Sequence, residues 1–142
     1  MSKNYKKYIK VFLILVLLVS MAGYFYFYYI PKSRTLNIIE KFEIAVRRND
    51  KITLREIVSS SDYWDRLESG IFQEYFGYFY NGVEITRVHI RPIVNNTRIW
   101  TEGRMKAKID GKYRNHFEFC IILENGKWKL RQFYFPDIVD YK

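Results

Sequence analysis

The fold class is decided by residues 112–135, which read KYRNHFEFCIILENGKWKLRQFYF. In the first half of this stretch polar and apolar side chains alternate, with Phe117 and Phe119 on the apolar side. Such alternation predicts a half-buried strand whose apolar face points inward. An Asn-Gly pair at 125–126 is the preferred sequence of a two-residue hairpin turn, so a second strand over 127–135 is expected to return beside the first.

Two further strands are predicted before this hairpin. Residues 83–94 and 98–109 alternate and are rich in β-branched side chains, and an Asp-Gly turn at 110–111 joins the second run to the hairpin. Strict period two places Val83 and Ile85 on the same face as Arg87, His89 and Arg91. The sequence therefore predicts an antiparallel meander of about four strands.

About three helices are predicted between residue 35 and the first strand. Apolar residues recur at helical spacing from Leu36 to Val46, and Asn-Asp at 49–50 is typical of a helix end. Thr53 with Glu56 resembles a capping box for a short second helix, and a third is expected from Tyr63 towards Tyr75. Helices followed by strands favour the α+β class, with the helices packed on one face of a curved, cone-like antiparallel sheet.

This order of elements resembles the nuclear-transport-factor-two-like superfamily, also called cystatin-like or ketosteroid-isomerase-like. The resemblance covers about residues 35–136 and includes Phe42, Ala45 and Val46 in the first helix and Gly-Lys-Trp-Lys-Leu at 126–130. It implies a cone between helices and sheet that can hold a ligand. A membrane anchor joined to such a domain is similar to small bacterial envelope proteins and to inner-membrane scaffold subunits of type IV secretion and conjugation machines. A fold alone does not determine function.

The N-terminal region predicts a transmembrane helix. Residues 11–30, VFLILVLLVSMAGYFYFYYI, carry no charge, and about 20 helical residues cross the roughly 30 Å hydrocarbon layer of a bilayer. The aromatic run at 24–29 is typical of the headgroup boundary, and Pro31 is expected to end the helix. We therefore expect a cytoplasmic basic tail at 1–10, a linker at 31–34 and an extracytoplasmic domain at 35–142, which should fold when expressed alone.

A cleaved signal peptide is the alternative interpretation. Ser20 and Ala22 have the spacing that a signal peptidase recognises, and cleavage after Ala22 would secrete the domain. The apolar run continues for eight residues beyond that point, to Ile30, which favours an uncleaved anchor.

The charge distribution argues against nucleic acid as a partner. The formal net charge is +9, but residues 1–34 hold six of the 24 basic residues and none of the 15 acidic ones. Much of the excess therefore flanks the apolar segment, as expected for a membrane anchor rather than for a nucleic-acid-binding surface.

The second half of the domain carries a candidate basic sheet face. Its side chains could attract phosphate headgroups or an acidic partner, with a solvated sheet face as the plainer interpretation. The residues of this candidate face are Arg87, His89, Arg91, Arg104, Lys106, Lys108, Lys129 and Arg131.

An aromatic pocket is the second candidate site, with an apolar ligand or lipid as its occupant. Its expected lining consists of Tyr63, Trp64, Phe72, Tyr75, Phe76, Phe117 and Phe119, which can equally form an ordinary core.

The sequence contains no recognisable acid–base or metal-binding constellation. One cysteine excludes an intrachain disulfide and a cysteine-rich zinc cluster, and the nearest acid–base candidates, Asp62, Tyr63 and Asp65, are better explained by helix capping and packing. We expect no catalytic residue, no metal and no cofactor.

The sequence thus predicts a non-enzymatic, single-pass membrane protein. Its extracytoplasmic domain is expected to bind other envelope proteins in a secretion- or conjugation-type assembly, with a homo-oligomer as a further option. Binding of an apolar ligand, or secretion of the same domain after cleavage near Ala22, are the alternatives.

Overall fold

The computed structural model describes residues 3–59, 79–94, 96–107 and 113–134. The helices are α1 (Lys3–Tyr24), α2 (Ile30–Arg47) and α3 (Lys51–Ile57). The strands are β1 (Phe79–Ile93), β2 (Asn96–Ala107), β3 (Tyr113–Glu124) and β4 (Lys127–Tyr134). The predicted third helix from Tyr63 lies outside the described residues.

One continuous helical rod joins the N-terminus to the domain. A π-helical turn, Phe25–Tyr29, links α1 to α2, and the N–H of Ile30 donates to the carbonyl of Phe25. A proline inside an α-helix lacks one N–H and clashes with the carbonyl one turn earlier, and the wider π turn directly before Pro31 accommodates both effects. The predicted helix end at Pro31 is therefore wrong, and residues 31–34 form the first turns of α2.

The first half of this rod is apolar and exposed. Every side chain from Val11 to Val19 is exposed, and the helix Tyr5–Arg47 is long and apolar enough to cross a membrane. Burial begins at Pro31 and Thr35, where the rod meets the domain.

The turn between α2 and α3 corrects a second prediction. Asn49 adopts a positive φ of 52°, which closes α2, and Asp50 is the N-cap of α3. The Asp50 carboxylate accepts hydrogen bonds from the Thr53 N–H at 3.1 Å and the Thr53 hydroxyl at 2.7 Å. The predicted capping box starting at Thr53 is wrong, because α3 already begins at Lys51 and Asp50 caps it.

The four strands form one antiparallel sheet in the order β1-β2-β3-β4, so the predicted meander is confirmed. Asn125 and Gly126 both have positive φ, 50° and 75°, the geometry of a type I′ turn. β-Bulges leave an extra residue at Thr86 in β1, at Arg114 in β3 and at Arg131 in β4.

The core lies between α2 and one face of the sheet, called here the inner face. Phe42 of α2 contacts Phe133 of β4 at 6.0 Å between ring centroids, and Phe133 contacts Phe119 of β3 at 5.2 Å. The buried Thr101 hydroxyl donates to the carbonyl of Phe119 at 3.2 Å. The predicted α+β class, with helices packed on a sheet, is confirmed for the described residues.

Candidate functional site

The bulge at Thr86 decides which side chains of β1 reach the outer face of the sheet. Ile85 pairs with Gly103 and Arg87 pairs with the next residue, Glu102, so Thr86 has no partner of its own. A bulge adds one residue and thereby reverses the alternation that follows. Ile85 is buried on the inner face, whereas Arg87 is exposed, and the predicted common face for these two residues is wrong.

Cross-strand pairing brings basic residues of β1, β2 and β4 to the outer face. Residues directly opposite each other in neighbouring strands place their side chains on the same face. The first row across the sheet contains Arg91, Arg98, Ile122 and Lys129, and the next contains His89, Trp100, Cys120 and Gln132.

Carboxylates neutralise only part of this face. Arg87 pairs with Glu102 at 3.6 Å, and Lys129 pairs with Glu124 at 3.6 Å. His116 lies 3.9 Å from Glu118, and this contact is an ion pair only when the imidazole is protonated. Among the described residues, no carboxylate forms an ion pair with four arginines, which we call the outer arginines: Arg91, Arg98, Arg104 and Arg131.

Cys120 lies at the centre of the outer face and is fully buried. Burial raises the pKa of its thiol to about 11, although the nearby Arg98, Arg131 and Arg91 oppose that rise. A thiol that stays protonated at neutral pH is a poor nucleophile, so Cys120 is a packing residue. The same interactions place three of the outer arginines around one point of the sheet.

Trp100 stands beside Cys120 with an unsatisfied donor. Its indole N–H and the Nε of Arg98 are both shielded from solvent, and neither has a hydrogen-bond partner within the described part of the chain. A buried donor without an acceptor costs about 1–3 kcal/mol.

The predicted basic face is brought together in large part. Arg87, His89, Arg91 and Arg104 are exposed on the outer face, with Lys129 half-buried in the same row as Arg91. Arg131 is exposed at the bulge of β4. The site prediction did not include Arg98, although period two from Trp100 and Arg104 could have identified it. The side chain of Lys106, and Lys108 altogether, lie outside the described residues.

Of the residues predicted to line the aromatic pocket, only Phe117 and Phe119 lie within the described part of the chain. Phe117 and Phe119 are buried, at 1% and 0% exposure, in the core cluster. The other predicted lining residues, at positions 63, 64, 72, 75 and 76, and the acid–base candidates Asp62 and Asp65 lie outside the described residues.

A separate groove of about 400 Å³ opens between α2, α3 and the start of β4. Its floor is apolar and includes Ile38, Ile57 and Trp128. Its rim carries Arg34, Asn37, Lys41, Glu56 and Lys127, all exposed. The guanidinium of Arg34 lies over the ring of Trp128 at 5.2 Å. Sequence reasoning missed this site because its residues come from three separate elements.

Comparisons with known proteins add one structural likeness. No protein-family model matches the sequence, and no curated protein matches it. A solved chain named "Rd1NTF2_05", carrying five substitutions, is similar at 17% identity and a TM-score of 0.45. The alignment covers 70% of this chain and 93% of that one.

Proposed function

We propose that this protein is a single-pass membrane protein of the cell envelope whose domain binds an acidic surface of another envelope protein. The observation that carries the proposal is the set of outer arginines, Arg91, Arg98, Arg104 and Arg131, on a sheet face that neither α2 nor α3 covers. The proposed role is that of a binding module and not of an enzyme.

The anchor half of the proposal rests on the exposed apolar rod. A contiguous apolar surface of this length is unfavourable in water, and a bilayer is the environment that removes it from water. Lys3, Lys6, Lys7 and Lys10 precede the span, whereas only Lys32 and Arg34 follow it closely. The positive-inside rule then places residues 1–10 in the cytoplasm and the domain outside it.

The partner half rests on charge and on the residue types of the outer face. Arginine and tryptophan are the side chains that most often dominate binding energy at protein interfaces, and Trp100 lies among the outer arginines with a donor unsatisfied within the described chain. Carboxylates of a partner would neutralise the arginines. The nuclear-transport-factor-two-like fold remains part of this proposal, supported by the order of helices and meander.

Membrane anchoring is tested on the full-length chain in its native membrane. After alkaline carbonate washing, the full-length chain should stay in the pellet. A soluble chain that begins near Gly23 would instead show cleavage and overturn the anchor.

Partner binding is tested by site-specific photocrosslinking in intact cells. A photoreactive phenylalanine analogue at His89, exposed on the outer face, should form an adduct with an acidic protein, whereas the same analogue at Ile52, 77% exposed on α3, should not. Arg91→Glu should abolish the His89 adduct and Lys51→Glu, a matched charge reversal on α3, should leave it unchanged. Equal crosslinking at His89 and Ile52 would contradict the proposal. An adduct between two copies of this chain would show that the outer face forms a homo-oligomer and does not bind another protein.

A further inference from the structure

The groove described above lies at the end of the domain nearest the apolar rod. Near the start of α2, Arg34 contacts Trp128 at the start of β4, and later in both elements Phe42 contacts Phe133. The two elements therefore run side by side in the same direction, away from α1. It follows that the start of β4 and the turn at 125–126 face the proposed bilayer.

The end of the groove nearest the rod also lies at the height of lipid headgroups. Arg34 follows Ile30, the last residue of the uncharged segment, by four residues, which is about 6 Å along a helix. The headgroup layer of one leaflet is about 5–8 Å thick. Asn37, Ile38 and Lys41 follow Arg34 at helical spacing and extend the same face of α2 outward by about 10 Å.

The chemistry of the groove suits a phosphate group. Arg34, Lys41 and Lys127 supply three positive charges, Glu56 removes one, and Asn37 adds an amide donor. The Arg34 guanidinium lies over the face of Trp128, a contact that uses the face of the guanidinium and not the N–H groups at its edge. The apolar floor of Ile38, Ile57 and Trp128 can contact the glycerol and first methylene groups of a lipid.

We propose that this groove binds the phosphate of an anionic phospholipid headgroup in the leaflet from which the rod emerges. Arg34 binds the phosphate oxygens through two parallel N–H donors, and Lys41 and Lys127 neutralise the remaining charge. The proposal rests on the membrane anchor of the proposed function but is independent of the outer face. A bound lipid at this position would hold the domain against the bilayer.

Native mass spectrometry of the full-length chain in detergent tests the proposal directly. Phosphatidylglycerol and phosphatidylcholine with identical acyl chains are titrated, and the first equivalent of phosphatidylglycerol should bind at least about tenfold more tightly. Lys41→Gln combined with Lys127→Gln should remove this preference, because each lysine near a phosphate contributes about a fivefold factor. Equal affinity of the unmodified chain for the two lipids would overturn the proposal without reference to any variant.

A matched control and a competitor complete the experiment. Lys51→Gln combined with Arg48→Gln removes two exposed cations outside the groove and should leave the preference unchanged. If both double variants lose the preference for phosphatidylglycerol to the same extent, the lipid is attracted by the overall charge of the protein. That result would overturn the proposed groove site. Glycerol 1-phosphate and inorganic phosphate should not displace the lipid at equal concentration, and displacement would assign the groove to a soluble phosphate compound instead. Carbonate extraction tests the membrane anchor, and native mass spectrometry tests the lipid site. Failure of one proposal can therefore be distinguished from failure of the other.

Discussion

At the scale of single residues, Gly103 shows how closely the strands and core pack. A β-carbon at this position would overlap the carbonyl of Glu84 on the neighbouring strand and the ring of Phe117. The Phe117 ring is itself fully buried, so it has little room to move aside. A glycine is required here by the close approach of two strands and not by an unusual φ.

Gly103→Ala should therefore destabilise the domain by about 1–3 kcal/mol, the usual cost of overpacking a core. Urea denaturation of the full-length chain in detergent, followed by circular dichroism, measures this change. Gly23→Ala is the matched control, since a β-carbon there meets nothing within 4 Å. An unchanged urea midpoint for Gly103→Ala would show that the described close approach of the Glu84 carbonyl and the Phe117 ring to Gly103 is incorrect.

Asp50 makes the start of α3 sensitive to acid. The hydrogen bonds from the side chain and N–H of Thr53 lower the pKa of the Asp50 carboxyl below its ordinary value of about 4. A pKa lowered by folding stabilises the native state above the unfolded-state pKa, and this contribution is lost as the pH falls through the folded-state pKa.

Asp50→Ala should consequently destabilise the domain at pH 7, and the difference from the unmodified chain should shrink below about pH 4. Thermal unfolding of both chains across this pH range measures the effect. Glu56→Ala, on the same helix but without a capping role, should show no such pH-dependent difference. A constant difference between Asp50→Ala and the unmodified chain would contradict the carboxylate's capping role.

At the scale of elements, the bulge in β1 separates the core from the candidate binding face. Before Thr86 the inner-facing residues are Val83 and Ile85, and after it they are Val88 and Ile90. The extra residue thus moves the inward-facing apolar side chains of β1 from odd-numbered to even-numbered residues. The same shift turns Arg87, His89 and Arg91 outward.

Deletion of Thr86 should therefore unfold the domain. Without the bulge, strict alternation would turn either Arg87 and Arg91 into the core or Val83 and Ile85 onto the outer face. Thr86→Ala is the matched control and should cost no more than about 1 kcal/mol, since its hydroxyl makes one exposed hydrogen bond to the Glu102 carbonyl at 3.2 Å. Amide chemical-shift dispersion in NMR spectra distinguishes the outcomes. A well-dispersed spectrum for the deletion would mean that the bulge is dispensable.

At the scale of the whole molecule, the rod and the domain share one helix. Pro31 is fully buried and Thr35 is 0% exposed, so the core of the domain reaches into residues that the sequence predicts as a linker. Because no flexible joint lies between α1 and α2, the orientation of the domain relative to the rod is set by the helix itself. The proposed lipid groove depends on this rigid connection.

A chain that begins at Ile30 should accordingly be more stable than one that begins at Thr35. The shorter chain loses the buried Pro31 ring and one helical turn, which together should cost about 1–2 kcal/mol in urea denaturation. Extending the longer chain by Tyr29 adds only an exposed residue and should change nothing. Equal stability of the chains starting at Ile30 and Thr35 would place the domain boundary where the sequence predicts it.

Local sequence alone determined the elements of this protein. Alternation along residues 113–124, the Asn-Gly turn at 125–126 and the helical spacing from Leu36 to Val46 predict the strand, turn and helix that are observed. The uncharged run at 11–30 predicts the helix found there but not its continuation through Pro31. These signals suffice because strand and helix periodicity, turn conformation and apolar length are properties of neighbouring residues.

Only the tertiary structure decided which faces these elements present and how they join. The bulge at Thr86 depends on pairing with β2, and the passage of the helix through Pro31 depends on the π turn before it. The groove lined by Arg34, Lys41 and Lys127 exists only because packing brings two helices and a strand together. Such features arise from contacts between residues far apart in the chain, which local patterns do not encode.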